Sequence, residues 1–245
     1  MWGRLKSSFI ADMKVISHDR MLVLLSLTPL LLIILLKLVF PVFSHLVITK
    51  SGFLLEKYYT LIAITFVSII PMLYGMVYAF VLLYENDPHI FQNDDVKSAV
   101  VRSSLFPRIV MTMSLSFILI LISVLITNPV PSEGWLRTVF VIFLLTIQAP
   151  FVFLLICSLA DSINEGLALS AIYGIFLITV PLGMVLHHPW NYLAFFSPLY
   201  WIGWTWIEYS AVESLEYGII AIIITSGTIF ILARHFLKNH QNLTF

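Results

Sequence analysis

Six long apolar runs, separated by short polar breaks, constrain this chain more than any other feature of it. A helix needs about 20 apolar residues to cross ~30 Å of hydrocarbon. Stretches near 21–43, 58–84, 108–127, 137–159, 166–186 and 217–236 meet that length. Only 11% of the 245 residues are charged and 60% are hydrophobic, against about 25% charged in a soluble domain. So few charges cannot clothe a surface facing water. With the bilayer as solvent, every backbone group must find its partner within the chain, which leaves helices or a closed barrel. Barrel strands would read as short alternating segments, whereas these runs are continuous. The expected fold is an all-α integral membrane protein: one transmembrane domain over 1–245, with six transmembrane helices.

The flanks of the runs suggest an orientation. With the N-terminus inside, the inner segments hold Arg4, Lys6, Lys14, Arg20, Lys97, Arg102, Arg108, Arg234 and Lys238, and the outer ones only Lys50, Lys57 and Arg137. By the positive-inside rule both termini are expected in the cytoplasm. Residues 1–20 scatter their charges and do not read as a cleavable signal. Trp2, Leu5, Phe9, Met13 and Ile16 recur at helical spacing, with Lys6, Asp12 and Lys14 among the rest. An amphipathic helix in the inner interface would look like this; a cytoplasmic extension of the first span is the other reading.

Catalytic motifs are missing. No glycine precedes a lysine, so there is no phosphate-binding P-loop; there is no HExxH zinc motif and no GxSxG elbow. Thirteen basic residues balance thirteen acidic ones, which gives no reason to expect nucleic acid. Cys157, the single cysteine, sits in an apolar run as a small hydrophobe. His187, His188 and Glu208 could hold a metal, but an interfacial loop beside Pro189-Trp190 accounts for them better, and no metal or bound cofactor is expected. The sequon Asn242-Leu-Thr244 falls on the cytoplasmic tail. Lys37 is the charge within a span; it can snorkel to the outer surface or contact a substrate or ion. No acidic residue lies at a span centre, which speaks against proton-driven transport.

Thr65, Ser68, Met72, Gly75 and Ala79 form a stripe of small and polar residues on the second span, and Ser170 and Gly174 repeat the pattern on the fifth. Such faces let helices approach closely; packing, a dimer face and a substrate path are all open readings. Pro29, Pro71, Pro150 and Pro181 are expected to kink or interrupt their spans. In the inner segment 85–107, Asn93 or Asp94 can cap a short helix through Ala99 and Arg102 that stops before Pro107. The outer segment 187–216 holds Trp190, Tyr192, Phe195, Tyr200, Trp201, Trp204 and Trp206, with no lysine or arginine. It is expected as an interfacial belt or a re-entrant segment before the last span.

This organisation resembles the permeases of type-2 ATP-binding-cassette exporters, the type V exporter fold. Leu83-Tyr84-Glu85, followed by Phe106-Pro107-Arg108, is similar to that family's glutamate, coupling helix and proline before span three. Asn164-Glu165-Gly166-Leu167-Ala168-Leu169-Ser170, then Pro181, Pro189-Trp190 and Pro198-Leu199-Tyr200-Trp201, looks like the fluoroquinolone-export-type subgroup. Ala171 and Pro88 depart from the subgroup, which usually has a lysine and a glycine at those places. The resemblance implies a transport subunit without its own ATPase site, paired with a second permease copy or a sister permease. Two separate ATPase subunits would bind ATP and Mg. It implies a prokaryotic cytoplasmic membrane, an amphipathic or hydrophobic substrate, and a path between the second and fifth spans of the two copies. Glu85, Asp94, Lys97 and Arg102 are the expected ATPase-coupling residues, with Glu165 a lesser contact. Thr65, Ser68, Met72, Gly75, Ser170 and Gly174 are the expected path or dimer face. The alternatives are a self-sufficient secondary transporter or channel, and a membrane scaffold or immunity protein without transport.

Overall fold

The computed structural model describes the backbone of residues 2–85, 94–127, 135–185, 192, 194–208 and 210–239, and their side chains except those of 2–7, 94–104, 183–185, 211 and 239. Among the described residues it is helical, with no strand. The chain runs α1 (Trp2–His18), α2 (Arg20–Ile34), a π-turn (Leu35–Val39), α3 (Phe40–Ser51), a 3-10 turn (Leu55–Tyr58), α4 (Tyr59–Glu85), α5 (Asp94–Thr127), α6 (Trp135–Leu159), α7 (Ile163–Val185), α8 (Pro198–Ile207) and α9 (Ala211–Asn239). Among the described residues, six spans are long and apolar enough to cross a membrane: Arg20–Ser51, Leu55–Glu85, Leu105–Thr127, Trp135–Leu159, Ile163–Leu182 and Val212–Lys238.

The spans are not equivalent. In the second, 83% of the apolar window is buried inside the protein, and in the fourth, 72%; in the first and sixth the shares are 22% and 17%. Helices α4 and α6 therefore form the centre. Helix α4 packs against α2, α5, α6, α7 and α8, while α9 lies on α6 and α8. Glycines set two of these approaches. A Cβ on Gly75 would stand 2.7 Å from the Ala149 carbonyl oxygen and from Val152 Cβ, so only glycine lets α4 and α6 come this close. A Cβ on Gly166 would meet the Phe80 ring at 2.8 Å, where α7 starts against α4. Deep between α6 and α9, the Gln148 side-chain amide donates to Thr225 Oγ1 at 2.9 Å. In lipid such a hydrogen bond holds helices that the hydrophobic effect cannot drive together.

Several expectations change. The first span continues eight residues past 43, to Ser51, and stops because Gly52 takes a left-handed conformation (φ 68°) and donates to Ile48. A Cβ disfavours that conformation. Within this span the helix widens into the π-turn, where the Phe40 N–H donates to the Leu35 carbonyl, five residues back. Pro41 follows it. A proline has no N–H and its ring crowds the carbonyl four residues earlier, so a local widening relieves it. Pro29, Pro71, Pro150 and Pro181 all lie inside helices that continue past them. Pro107 does the same: α5 does not stop before it but runs unbroken from Asp94 into the third span. Membrane helices tolerate proline where neighbouring elements satisfy the freed carbonyl.

Helix α1 is a separate helix and not a continuation of the first span. Asp19 breaks the chain in an extended conformation (φ −100°, ψ 116°), and its carboxylate accepts from the Met21 and Leu22 N–H groups at the start of α2. In the aromatic outer segment, α8 is buried against α4, α6, α7 and α9. Its ten residues reach about 15 Å, too short to cross ~30 Å. Ser214 Oγ donates to the Thr205 carbonyl at 2.7 Å and ties the reversal into α9. Arg137 of α6 donates to the carbonyl of Glu208, which closes α8. The segment lacks a cation of its own, and α6 supplies one.

Candidate functional site

Three elements meet around one guanidinium at the end of the bundle where α1 lies. Arg108, in α5, is 2% exposed and Asp12, in α1, 1%. Arg108 Nη2 donates to Asp12 Oδ1 at 2.6 Å, and Nε donates to Oδ1 and Oδ2 at 3.2 and 3.3 Å. The same Nη2 donates to Glu85 Oε1 at 2.7 Å, and Glu85 is the last residue of α4. One cation thus holds two carboxylates. The planar fork of arginine suits this sharing; an ammonium could not present two edges at fixed angles.

Burial pushes the Asp12 carboxyl above its ordinary value, and the nearby Glu85 charge adds to that. The hydrogen bond and the charge of Arg108 pull the other way and do not fully offset burial. Beside the cluster, Lys14, Val15, His18, Asp19, Arg20 and Tyr84 line a cavity of about 630 Å³ between α1, the start of α2 and the end of α4.

Of the expected coupling residues, Glu85 belongs to this cluster. Asp94 opens α5, and Lys97 and Arg102 lie on its first turns; their side chains lie outside the described residues. Glu165 works as part of a helix start: its Oε2 accepts from the Asp161 N–H at 2.8 Å, and its own N–H donates to Ser162 Oγ at 3.3 Å. The expected path residues divide. On α4, Ser68 and Gly75 are in the protein interior, and Thr65 and Met72 are half-buried. The Thr65 and Ser68 hydroxyls donate within their own helix, to Leu61 and Ile64. On α7, Ser170 is buried and donates to the Leu167 carbonyl. A Cβ on Gly174 would meet nothing within 4 Å, and Ile175 and Ile178 beside it are exposed. His187 and His188 lie outside the described residues; among those described, no group of three metal-ligating side chains occurs.

Asp12 and Arg108 are not among the site residues expected from the sequence. The signal is there for Asp12: Leu5, Phe9, Asp12 and Ile16 share a helix face, so an acid interrupts an apolar stripe. In the structure Ile16 and Asp12 face inward, while Met13, expected on the apolar face, is exposed together with Ile10. The buried face thus includes Asp12, whose ion pair to Arg108 turns it inward, and leaves out Met13.

No curated protein and no solved structure matches the chain. The sequence profile of the fluoroquinolones export permease protein Rv2686c-like family matches residues 12–233, from Asp12 of the ion cluster to the last turns of α9. The chain belongs to that family, and is a multi-pass membrane permease.

Proposed function

We propose that the chain is the membrane-spanning subunit of an ATP-binding-cassette exporter, driven by ATP hydrolysed in a separate subunit. The observation that carries this reading is the Asp12–Arg108–Glu85 cluster. Segment 86–93 leaves α4 directly after Glu85 and enters α5 at Asp94. Arg108 clamps the two helices that flank it, and Asp12 fastens α1 to the same point. A force on the first turns of α5 passes through an unbroken helix into the third span, and through the ion pairs to α1 and α4. That is what a docking segment for a soluble ATPase requires. The missing P-loop fits the same division, with ATP and Mg bound by the partner.

In this reading both termini are cytoplasmic, and two permeases, identical or sister chains, stand over two ATPases. The exposed stripe of α7 around Gly174 is the face best suited to a second copy, since α4 offers little beyond Thr65 and Met72. The substrate is an amphipathic or hydrophobic molecule, and the family's name makes fluoroquinolones the first compounds to try. The test is co-expression with the product of a neighbouring gene that encodes a P-loop ATPase, followed by export and ATP hydrolysis in proteoliposomes. Asp94→Ala with Arg102→Ala should leave hydrolysis largely intact and cut export at least tenfold. Normal export by that double variant, or failure of any ATPase to co-purify, would sink the assignment.

A further inference from the structure

Farther along the first span from the ion cluster, the π-turn presents Lys37 to a cavity of about 410 Å³. Glu56 and Tyr59, where the second span begins, line it from the other side, and Leu36, Phe40 and Ser44 complete the wall. Two features set this cavity apart. A π-turn in a span commonly marks a functional position, and an ionisable residue within a span is a pointer to function. Here both coincide. Lys37 and Glu56 also carry opposite charges, and neither side chain makes an ion pair or hydrogen bond within the described residues. The partners nearest to hand are already engaged: Ser44 Oγ donates to the Pro41 carbonyl, and Tyr59 Oη donates to the Thr127 carbonyl at 2.6 Å. At 1.5 Å per residue, Lys37 stands about 26 Å along the span from Arg20, near the far edge of a ~30 Å hydrocarbon slab. By that measure the cavity lies near the edge of the hydrocarbon slab, and Leu36, Phe40 and Pro41 give it an apolar wall.

We propose that this cavity binds the head of a zwitterionic amphiphile, with its anionic group on the Lys37 ammonium and its cationic amine on the Glu56 carboxylate. Lysine offers three donors and glutamate only acceptors, so the pair reads both charges of such a head. Leu36, Phe40 and the Tyr59 ring take the adjoining apolar part. Phe40 and Tyr59 are in contact at 5.1 Å between ring centroids and form one continuous surface. The inference needs the six-span fold only, and stands or falls independently of the ATPase partnership. The occupant is either an aminophospholipid of the surrounding leaflet or a free molecule with the same charge pattern.

The test uses the full chain in nanodiscs of phosphatidylglycerol, which lacks the amine, and follows binding of a fluorescent-tailed lysophosphatidylethanolamine. Lysophosphatidylglycerol with the same tail is the control. Lys37→Gln and Glu56→Gln should each weaken binding of the zwitterion about tenfold, with unchanged melting temperature because both side chains are exposed and have no bonding partner among the described residues. The exchange Lys37→Glu with Glu56→Lys keeps both charges and should recover most of the affinity. Repeating the titration in phosphatidylethanolamine nanodiscs separates the sources: competition identifies the bilayer lipid as occupant, and undiminished binding identifies a free amphiphile. Equal binding of the two lysolipids, no effect of either single variant, or an exchanged pair as weak as the singles would overturn the proposal.

Discussion

Arg108 and Asp12 are 96 positions apart in the chain and 2.6 Å apart in space, and both are buried. A cation held between two acids is not symmetric in its costs. Removing it strands Asp12 and Glu85 side by side, whereas removing Asp12 leaves Arg108 still neutralised by Glu85. Arg108→Met is therefore expected to destabilise by ~3–5 kcal/mol, the range for breaking a buried pair, and Asp12→Asn by far less. Thermal unfolding in detergent, read by intrinsic tryptophan fluorescence, checks the ranking. Equal effects of the two substitutions would mean that Glu85 does not share the guanidinium.

The same cluster gives a pH dependence with a definite sign. Burial raises the Asp12 carboxyl above its unfolded value of 3.8, so the folded protein binds the proton more readily than the unfolded chain. The stability this contributes is fully present below 3.8 and is lost as pH rises through the raised value. Asp12→Asn, which cannot titrate, should gain on the unsubstituted protein as pH rises through that window. Melting temperatures of both across pH 4–8 test it; a difference that is flat, or of the opposite slope, would refute it.

The two glycines of the expected path should behave differently. Gly75→Ala places a methyl 2.7 Å from backbone oxygen and Val152, an overpacking expected to cost ~1–3 kcal/mol. Gly174→Ala meets open space and should leave the stability of the protomer unchanged or slightly raised, since alanine is the better helix former. Side-by-side unfolding of the two variants checks this.

Between α6 and α9, Gln148 and Thr225 should be coupled. Hydrogen bonds between membrane helices are worth about 0.6 kcal/mol on average and at most about 1.7. A double-mutant cycle with Gln148→Leu and Thr225→Val should return a coupling in that range. A value of zero would show that the bond is not made in the membrane.

The sequence by itself determined the fold class and the presence of six helices long and apolar enough to cross a membrane. Those depend on run length and on the absence of charge, which are local properties that lipid reads directly. It left the aromatic segment that contains α8 open between an interfacial belt and a re-entrant segment, and it reached Glu85 only through a resemblance. Tertiary structure alone decided which helices are central. The first span is more apolar than the second, yet 22% of its window is buried against 83%. Lipid tails and a protein interior are equally apolar, so hydropathy cannot tell a helix that faces one from a helix that faces the other. Tertiary structure also decided that α5 passes through Pro107 and that α1 turns Asp12 inward. A proline's missing hydrogen bond and a buried carboxylate are each tolerable only when a partner distant in sequence satisfies the neighbouring groups, and for Asp12 that partner is Arg108.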